Sequence, residues 1–238
     1  MKILIGIPTL NEKKNVSLIF RKIKKLNLKL DILFLDDNSK DGTLEEIDNI
    51  KNNNKNVLKI VRNKKLGIGS AHKEIIKYSK KKKYDLLVTM DADGSHDPAY
   101  IIKMLNLIEN NSDIVITNRF YFKNSLESWP WYRKLITKLR HIIINALLNI
   151  NLDTSGAFRI YNLNKIPSNH LLKAKHNGYS FFWESIYYFS LYKYVISEIP
   201  IRMKSRTYGS SKINIYEILS AIYYLVYIFL RKLFRLKL

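Results

Sequence analysis

The sequence predicts an α/β protein, with a mostly parallel central sheet flanked by helices and a C-terminal helix closing the chain. Short, β-branched apolar runs alternate with amphipathic stretches through residues 1–118. The runs are continuously apolar, as in strands covered on both faces, rather than alternating as in half-exposed ones. Polar clusters follow these runs, at the strand ends where open parallel sheets bind ligands.

The elements follow in order. Residues 3–7, 31–35, 57–61, 85–90 and 113–117 read as strands, with helices near 15–26, 43–51, 69–80 and 98–110 between them. Asp41-Gly42-Thr43 is a turn running into a helix. Asp97-Pro98 puts an N-cap carboxylate before a proline in the first helical position. After Arg119 the rhythm changes to a long amphipathic helix at 131–149, a polar turn around 153–156 and a helix near 180–193. An extended segment follows at 195–203, interrupted by Pro200, and then a basic loop at 204–212. No Gly/Ser/Pro linker separates the two halves. The expected organisation is one catalytic domain over 1–212 and a C-terminal membrane-associating helix over 213–238.

Composition bounds the function. With 238 residues, 47% apolar and 26% charged, the chain can bury a core and is not a disordered polymer. It has no cysteine, which excludes thiolate metal sites, disulfides and cysteine nucleophiles. The net charge is +21, unevenly spread: 22 basic and 15 acidic residues lie in 1–118, against 19 and 5 in 119–238. The second half should therefore seek anions, whether phosphorylated substrates, lipid headgroups or nucleic acid. The Lys80–Lys83 run reads as a solvated surface. Met1-Lys2 leads straight into a short apolar run, so no secretory signal is expected.

Ile218 to Leu230 is apolar except for Ser220, and Arg231, Lys232, Arg235 and Lys237 follow. A helix of that length reaches about 20 Å, short of a hydrocarbon core of roughly 30 Å. It is expected to lie in the membrane interface, giving a peripheral or monotopic protein on the cytoplasmic face. The alternative is a terminal helix docked on the protein's own core.

The strand ends carry the chemistry. Pro8-Thr9-Leu10-Asn11-Glu12 ends the first strand, Asp36-Asp37-Asn38-Ser39 the second, Asp91-Ala92-Asp93-Gly94-Ser95-His96-Asp97 the fourth and Thr117-Asn118-Arg119 the fifth. Asp91 and Asp93 lie one residue apart beyond a buried strand. If the chain bends there, they converge on a hard cation, Mg²⁺ or Mn²⁺, that takes its other ligands from phosphate and water. Without a cation one of the pair would tend to hold a proton. His96 reads as a metal ligand or as a structural hydrogen-bonder. Asp36-Asp37 reads as an exposed turn or as a carboxylate accepting from a ribose or a base. Gly67-Ile68-Gly69 lacks the remainder of either phosphate-loop pattern and reads as a tight turn.

Together these motifs resemble inverting family 2 glycosyltransferases of the GT-A fold, and most nearly the dolichol-phosphate (polyprenyl-phosphate) mannosyltransferases. The resemblance runs from about residue 3 to residue 212. Pro8–Glu12 resembles P-T-Y-N-E, Asp36–Thr43 resembles D-D-N-S-x-D-G-T, and Asp91-Ala92-Asp93 resembles the family's metal motif. Asn118-Arg119 stands at a T-R or S-R pair. Asp153–Arg159 resembles D-x-T-G-S-F-R. Glu198–Ile201 and Arg206–Lys212 resemble E-V-P-I and R-x-Y-G-E-S-K. The resemblance implies a nucleoside held by Pro8, Leu10, Glu12, Leu35 and Asp37. It implies a diphosphate and a divalent metal, Mg²⁺ or Mn²⁺, at Asp91, Ala92 and Asp93. Ser95 stands where the family has a Gln that assists the metal; its shorter hydroxyl would reach through a water. Leu10 replaces a Tyr and removes a ring that packs on the base. Arg119 would meet the donor, and Arg206 and Lys212 the acceptor phosphate, with Asp93, Arg206 and Lys212 as the catalytic set.

The implied reaction moves a hexose, mannose foremost, from a nucleotide sugar, GDP-mannose foremost, onto a polyprenyl or dolichyl phosphate. A phosphate monoester is already anionic and needs positioning more than a base. The first rival is a UDP-sugar or hydroxyl-acceptor family 2 enzyme, for which Glu184 is the candidate base. The second is a non-enzymatic basic binder of nucleic acid or membrane. No nucleic-acid motif is present, and a plain anion binder has no use for carboxylates gathered at strand ends. Nucleic acid is therefore not an expected partner, and no partner subunit can be named.

Overall fold

The computed structural model describes residues 1–209 and 215–234. The first half is strictly alternating: β1 (Ile3–Thr9), α1 (Lys13–Lys24), β2 (Asp31–Asp36), α2 (Thr43–Asn52), β3 (Val57–Val61), α3 (Ile68–Lys81), β4 (Leu86–Thr89), α4 (Tyr100–Glu109) and β5 (Ile114–Asn118). The second half holds α5 (Trp131–Leu148), β6 (Arg159–Asn162), α6 (Ser168–Leu171), α7 (Ser180–Leu191), β7 (Ile196–Pro200) and α8 (Ile215–Leu233).

The strands form one seven-stranded sheet in the order β3-β2-β1-β4-β6-β5-β7. All neighbours are parallel except β6, which runs antiparallel between β4 and β5. Leu4, Leu33, Ile75, Phe181, Trp183 and Ile228 belong to a core on one face; Ile19, Ile47, Val88, Ile101 and Met104 belong to one on the other. Coverage of both faces explains the continuously apolar strands.

Two details decide where the site lies. The chain leaves β1 toward β2 and β3 on one side, then returns to lay β4 on the other. That reversal opens a crevice at the carboxyl ends of β1 and β4. Because β6 runs backward, with Thr89 of β4 opposite Arg159 of β6, the turn before β6 reaches the same edge. The extended segment after Pro200 is β7 followed by an irregular strap.

The helix starts follow their sequence cues. Asp41 accepts from the Thr43 amide at 3.0 Å, and Gly42 takes φ +90 ahead of α2. Asp97 accepts from the Ala99 amide at 3.1 Å, so Asp97-Pro98 forms a turn and α4 starts at Tyr100, slightly later than expected. α8 does two things at once. Ile228 is buried and the Tyr224 hydroxyl donates to Glu184 at 2.7 Å, while Ile218, Leu219, Ile222, Tyr223 and Val226 stay exposed. No helix among the described residues is long and apolar enough to cross a membrane.

Candidate active site

The carboxyl ends of β1, β2 and β4 bring the acidic groups together, and each has a distinct setting. Asp36 is fully buried and accepts from Thr9 Oγ1, the Ser39 amide and Ser39 Oγ, each at 2.7 Å. It ties two strand ends together and offers a ligand nothing. Asp37 faces the opposite way and pairs with the buried Arg62 at 2.5 Å. Arg62 also donates to Ser70 Oγ at 2.8 Å, which fixes the β2 and β3 ends to the start of α3. Pro8 and Leu10 are half-buried along the same edge. Leu35 is not available: its side chain is 0% exposed, within the core, so it packs the sheet rather than contacting a nucleoside. Ala92 likewise packs into the core and shapes the turn by its small size.

The Asp91–Ser95 turn is held by its own side chains. Ser95 donates to Asp93 Oδ1 from its amide at 3.0 Å and its hydroxyl at 2.6 Å. The Ser95 hydroxyl thus braces Asp93. His96 is buried, lies against Phe158, and accepts the Asp91 amide proton at Nδ1 over 3.1 Å. Burial lowers its pKa to about 4, so it is neutral and structural, the second of its two sequence readings. Asp91 sits at the floor of the crevice with its side chain still 37% exposed. Desolvation and the neighbouring Asp93 charge push its pKa up to about 7. Burial also opposes the Asp93 charge, but the Ser95 hydrogen bonds and Arg206 more than offset it and hold Asp93 low. An added cation would relieve the like-charge repulsion between the two. Two carboxylates with room for phosphate and water oxygens fit a hard divalent ion. Among the described residues no set of three His, Cys, Asp or Glu side chains could hold a metal alone.

The other wall is cationic. Arg119 pairs with buried Asp153 through Nε at 2.8 Å and reaches Ser155 Oγ at 3.1 Å. Burial raises the Asp153 pKa, but Arg119 outweighs it and holds that carboxyl below the usual range. Arg140 reaches the same Ser155 hydroxyl at 3.1 Å, and Arg133 lies 3.8 Å over the Trp129 ring. Desolvation and then Arg119 lower the Arg140 pKa to about 10, so it remains cationic at neutral pH. Arg206, on the strap after β7, contacts Glu12 Oε1 at 3.0 Å and Asp93 Oδ2 at 3.1 Å. Lys212 lies outside the described residues.

Arg62, Arg133 and Arg140 did not emerge from the sequence. For the α5 pair there was a signal: positions seven apart share a helix face. For Arg62, one cation following a strand carries no such mark. Glu184 is at 0% exposure and accepts from the Lys175 and His176 amides, each at 2.9 Å, and from Tyr224. It caps a loop and anchors α8.

The chain matches the family model described as Glycosyl transferase family 2 over residues 4–166. It is 28% identical over 213 residues to polyprenol monophosphomannose synthase of Mycolicibacterium smegmatis, covering 89% of this chain and 80% of the relative. It is 32% identical over 247 residues to dolichol-phosphate mannosyltransferase of Pyrococcus furiosus, covering 95% of this chain and 64% of that longer relative. Among solved structures, glucosyl-3-phosphoglycerate synthase from Mycobacterium tuberculosis, crystallised with Mn²⁺, UDP and its product, superposes with a TM-score of 0.62. That match has 16% identity and covers 97% of this chain and 79% of the other, and it supports the GT-A fold.

Proposed function

The chain belongs to glycosyltransferase family 2 and is a glycosyltransferase, and on that premise we propose that it transfers mannose from GDP-mannose to a polyprenyl phosphate. One observation carries the choice of acceptor: Glu184, the only acidic residue between Asp153 and Glu198, is spent on two backbone amides and a tyrosine. A hydroxyl acceptor needs a base in the cleft. A phosphate monoester needs cations, and Arg119, Arg133, Arg140 and Arg206 supply them.

In this reading Asp37, held by Arg62, and Glu12 receive the nucleoside, with Pro8 and Leu10 as its apolar border. Asp91 and Asp93 would hold Mg²⁺ or Mn²⁺ together with diphosphate oxygens. That ion would offset charge on the departing nucleoside diphosphate. His96 and Ser95 keep the two carboxylates in place, one through the backbone and one through the side chain. The arginines orient the acceptor phosphate on the face opposite the leaving group, which inverts the sugar. Planar forks suit this task better than a point charge. Lys212 is proposed to add to that wall.

α5 and α8 support a membrane-surface location. They pack together and expose Trp131, Leu135, Ile136, Leu139 and Ile143 on one and Ile218, Leu219, Ile222 and Val226 on the other. An apolar face flanked by Arg231 and Lys232 suits the anionic cytoplasmic face of a membrane, where the lipid acceptor lies.

The test is a thermal-shift panel of GDP- and UDP-sugars with Mn²⁺, followed by transfer to a short polyprenyl phosphate. GDP-mannose should stabilise the protein most and yield a mannosyl phospholipid. Stabilisation by UDP-sugars alone, or transfer only to a hydroxyl acceptor, would refute the proposal.

A further inference from the structure

The loop before α7 brings a neutral side chain to a cleft of charged ones. β7 is parallel to β5, so α7, which feeds β7, starts at the carboxyl edge of the sheet, where the crevice lies. The loop at that start is fixed from two sides. Glu184 accepts from the Lys175 and His176 amides, the Gly178 amide donates to His176 Nδ1 at 2.9 Å, and the Ser70 amide of α3 donates to the Asn177 carbonyl at 3.0 Å. Ser70 Oγ also takes Arg62, the partner of Asp37, which registers the loop against the donor side. The packing is close: a Cβ on Gly69 would lie 2.5 Å from Phe181 Cβ and 2.7 Å from the Gly178 carbonyl oxygen.

Tyr179 follows this seam, with its side chain partly exposed. Its oxygen lies within electrostatic reach of Asp91, Asp93 and Arg206 on the carboxylate wall and of Arg140 on the opposite wall. Two other tyrosines of the chain spend their hydroxyls on carboxylates: Tyr224 on Glu184 at 2.7 Å and Tyr84 on Asp31 at 2.6 Å. Among the described residues the Tyr179 hydroxyl makes no such hydrogen bond. Burial, and then the charges of Asp91 and Glu217, push its pKa up, so the phenol keeps its proton and stays neutral.

We propose that Tyr179 contacts the hexose of the donor and helps to select it, an inference that rests on the donor and acceptor assignment above. Carboxylates suit a cation-bound diphosphate, and guanidinium groups suit a phosphate. The hexose between them is neutral and covered with hydroxyls, each of which donates and accepts. A carboxylate only accepts and a guanidinium only donates, whereas a phenol does both. Its ring also offers an apolar face to the C–H side of a sugar. The transferred sugar lies between the departing diphosphate and the attacking phosphate, and Tyr179 stands between the two walls that hold them.

The experiment uses the full chain with Mn²⁺ and compares wild type with Tyr179→Phe, which keeps the ring and loses the hydroxyl. GDP affinity, measured by calorimetry, should be unchanged, while kcat/KM for GDP-mannose should fall about fivefold, as for one neutral hydrogen bond. The KM for polyprenyl phosphate should not move. Loss of GDP affinity alongside transfer would make Tyr179 structural, a change confined to the KM for the lipid would make it an acceptor contact, and unchanged kinetics would leave it without a substrate contact; each overturns the proposal. A second measurement pairs the variant with GDP-mannose analogues that lack one sugar hydroxyl at a time. One analogue should lose about fivefold with wild type and nothing further with Tyr179→Phe, whereas independent losses across the whole series would overturn the proposal. Wild type that binds UDP and UDP-glucose but not GDP would refute the donor reading alone, and the same comparison with that pair then tests Tyr179.

Discussion

Glu184→Gln separates a structural carboxylate from a catalytic one. Glu184 Oε1 accepts from the Lys175 amide at 2.9 Å and the Tyr224 hydroxyl at 2.7 Å, and Oε2 accepts from the His176 amide at 2.9 Å. All three partners donate. A glutamine amide can keep its oxygen on one side, but its NH₂ then opposes a donor in a site with no access to solvent. Leaving one buried donor unmatched costs about 1–3 kcal/mol. For a protein of this size each kcal/mol lowers Tm by roughly 2–4 °C, so the variant should melt about 2–12 °C lower. At a temperature where both proteins are folded, kcat and KM should stay within about twofold of wild type, because a phosphate nucleophile needs no base. Arg206→Lys should do the reverse. It preserves charge and fold but loses the planar fork, lowering turnover by a power of ten or more, about 1.4 kcal/mol each. The assay is calorimetry of both variants beside transfer kinetics at saturating acceptor. An unchanged Tm with kcat abolished in Glu184→Gln would make Glu184 the base and replace the phosphate acceptor with a hydroxyl.

Three further outcomes follow from the same geometry. Asp91 has a folded pKa raised to about 7 from 3.8, so its contribution to stability is fully present below about pH 4 and is lost as pH rises toward 7. Because solvent reaches the carboxylate, this loss should be about 1 kcal/mol, seen as a falling metal-free Tm that Asp91→Asn flattens and saturating Mn²⁺ reverses. His96→Phe orphans the Asp91 amide and should weaken Mn²⁺ binding, whereas His96→Asn keeps an acceptor near the Nδ1 position and should restore it; equal Mn²⁺ affinity in the two would show that the imidazole acts by packing alone. Leu139→Glu on α5 and Ile222→Glu on α8 should each reduce flotation with anionic liposomes without changing GDP binding, and flotation unaffected by both would remove the membrane-facing assignment of these helices.

Legibility in the sequence followed the range of the interactions. The parallel half was readable because each strand is a continuous apolar run and each strand end a cluster of polar residues. β6 was not: Arg159–Asn162 is four residues long and opens with an arginine whose guanidinium is satisfied by Gly156, Thr154, Ser185 and Phe182, contacts that exist only once the chain has folded. Asp36 and Asp37 are adjacent and chemically identical, and only the sheet decides which side each faces. The Asp91–Ser95 turn was readable as a local motif, but the role of Ser95 depended on which oxygen its hydroxyl reached. Of the two sequence readings of the C-terminal helix, core docking is seen at Ile228 and Tyr224, and the apolar residues α8 leaves exposed are what the membrane-facing reading needs.

The antiparallel strand also accounts for the division of charge across the cleft. β1, β2 and β4 deliver carboxylates to one side of the crevice. β6 enters from the opposite direction and carries Asp153 and Ser155 up to the same edge, where they hold Arg119 and Arg140 against the end of β5. A fully parallel sheet would leave that turn at the far edge, and the arginines would lack partners to orient them. Glu198 completes the scaffold: Oε1 accepts the Asp153 amide at 2.6 Å and Oε2 accepts from Asn118 at 2.9 Å, which clamps β7, β5 and the turn together. Burial raises its pKa, and the Asp153 and Asn118 hydrogen bonds only partly offset this. One wall is made of carboxylates and the other of guanidinium groups held by Asp153 and Ser155, and the strap that carries Arg206 is fastened to the first.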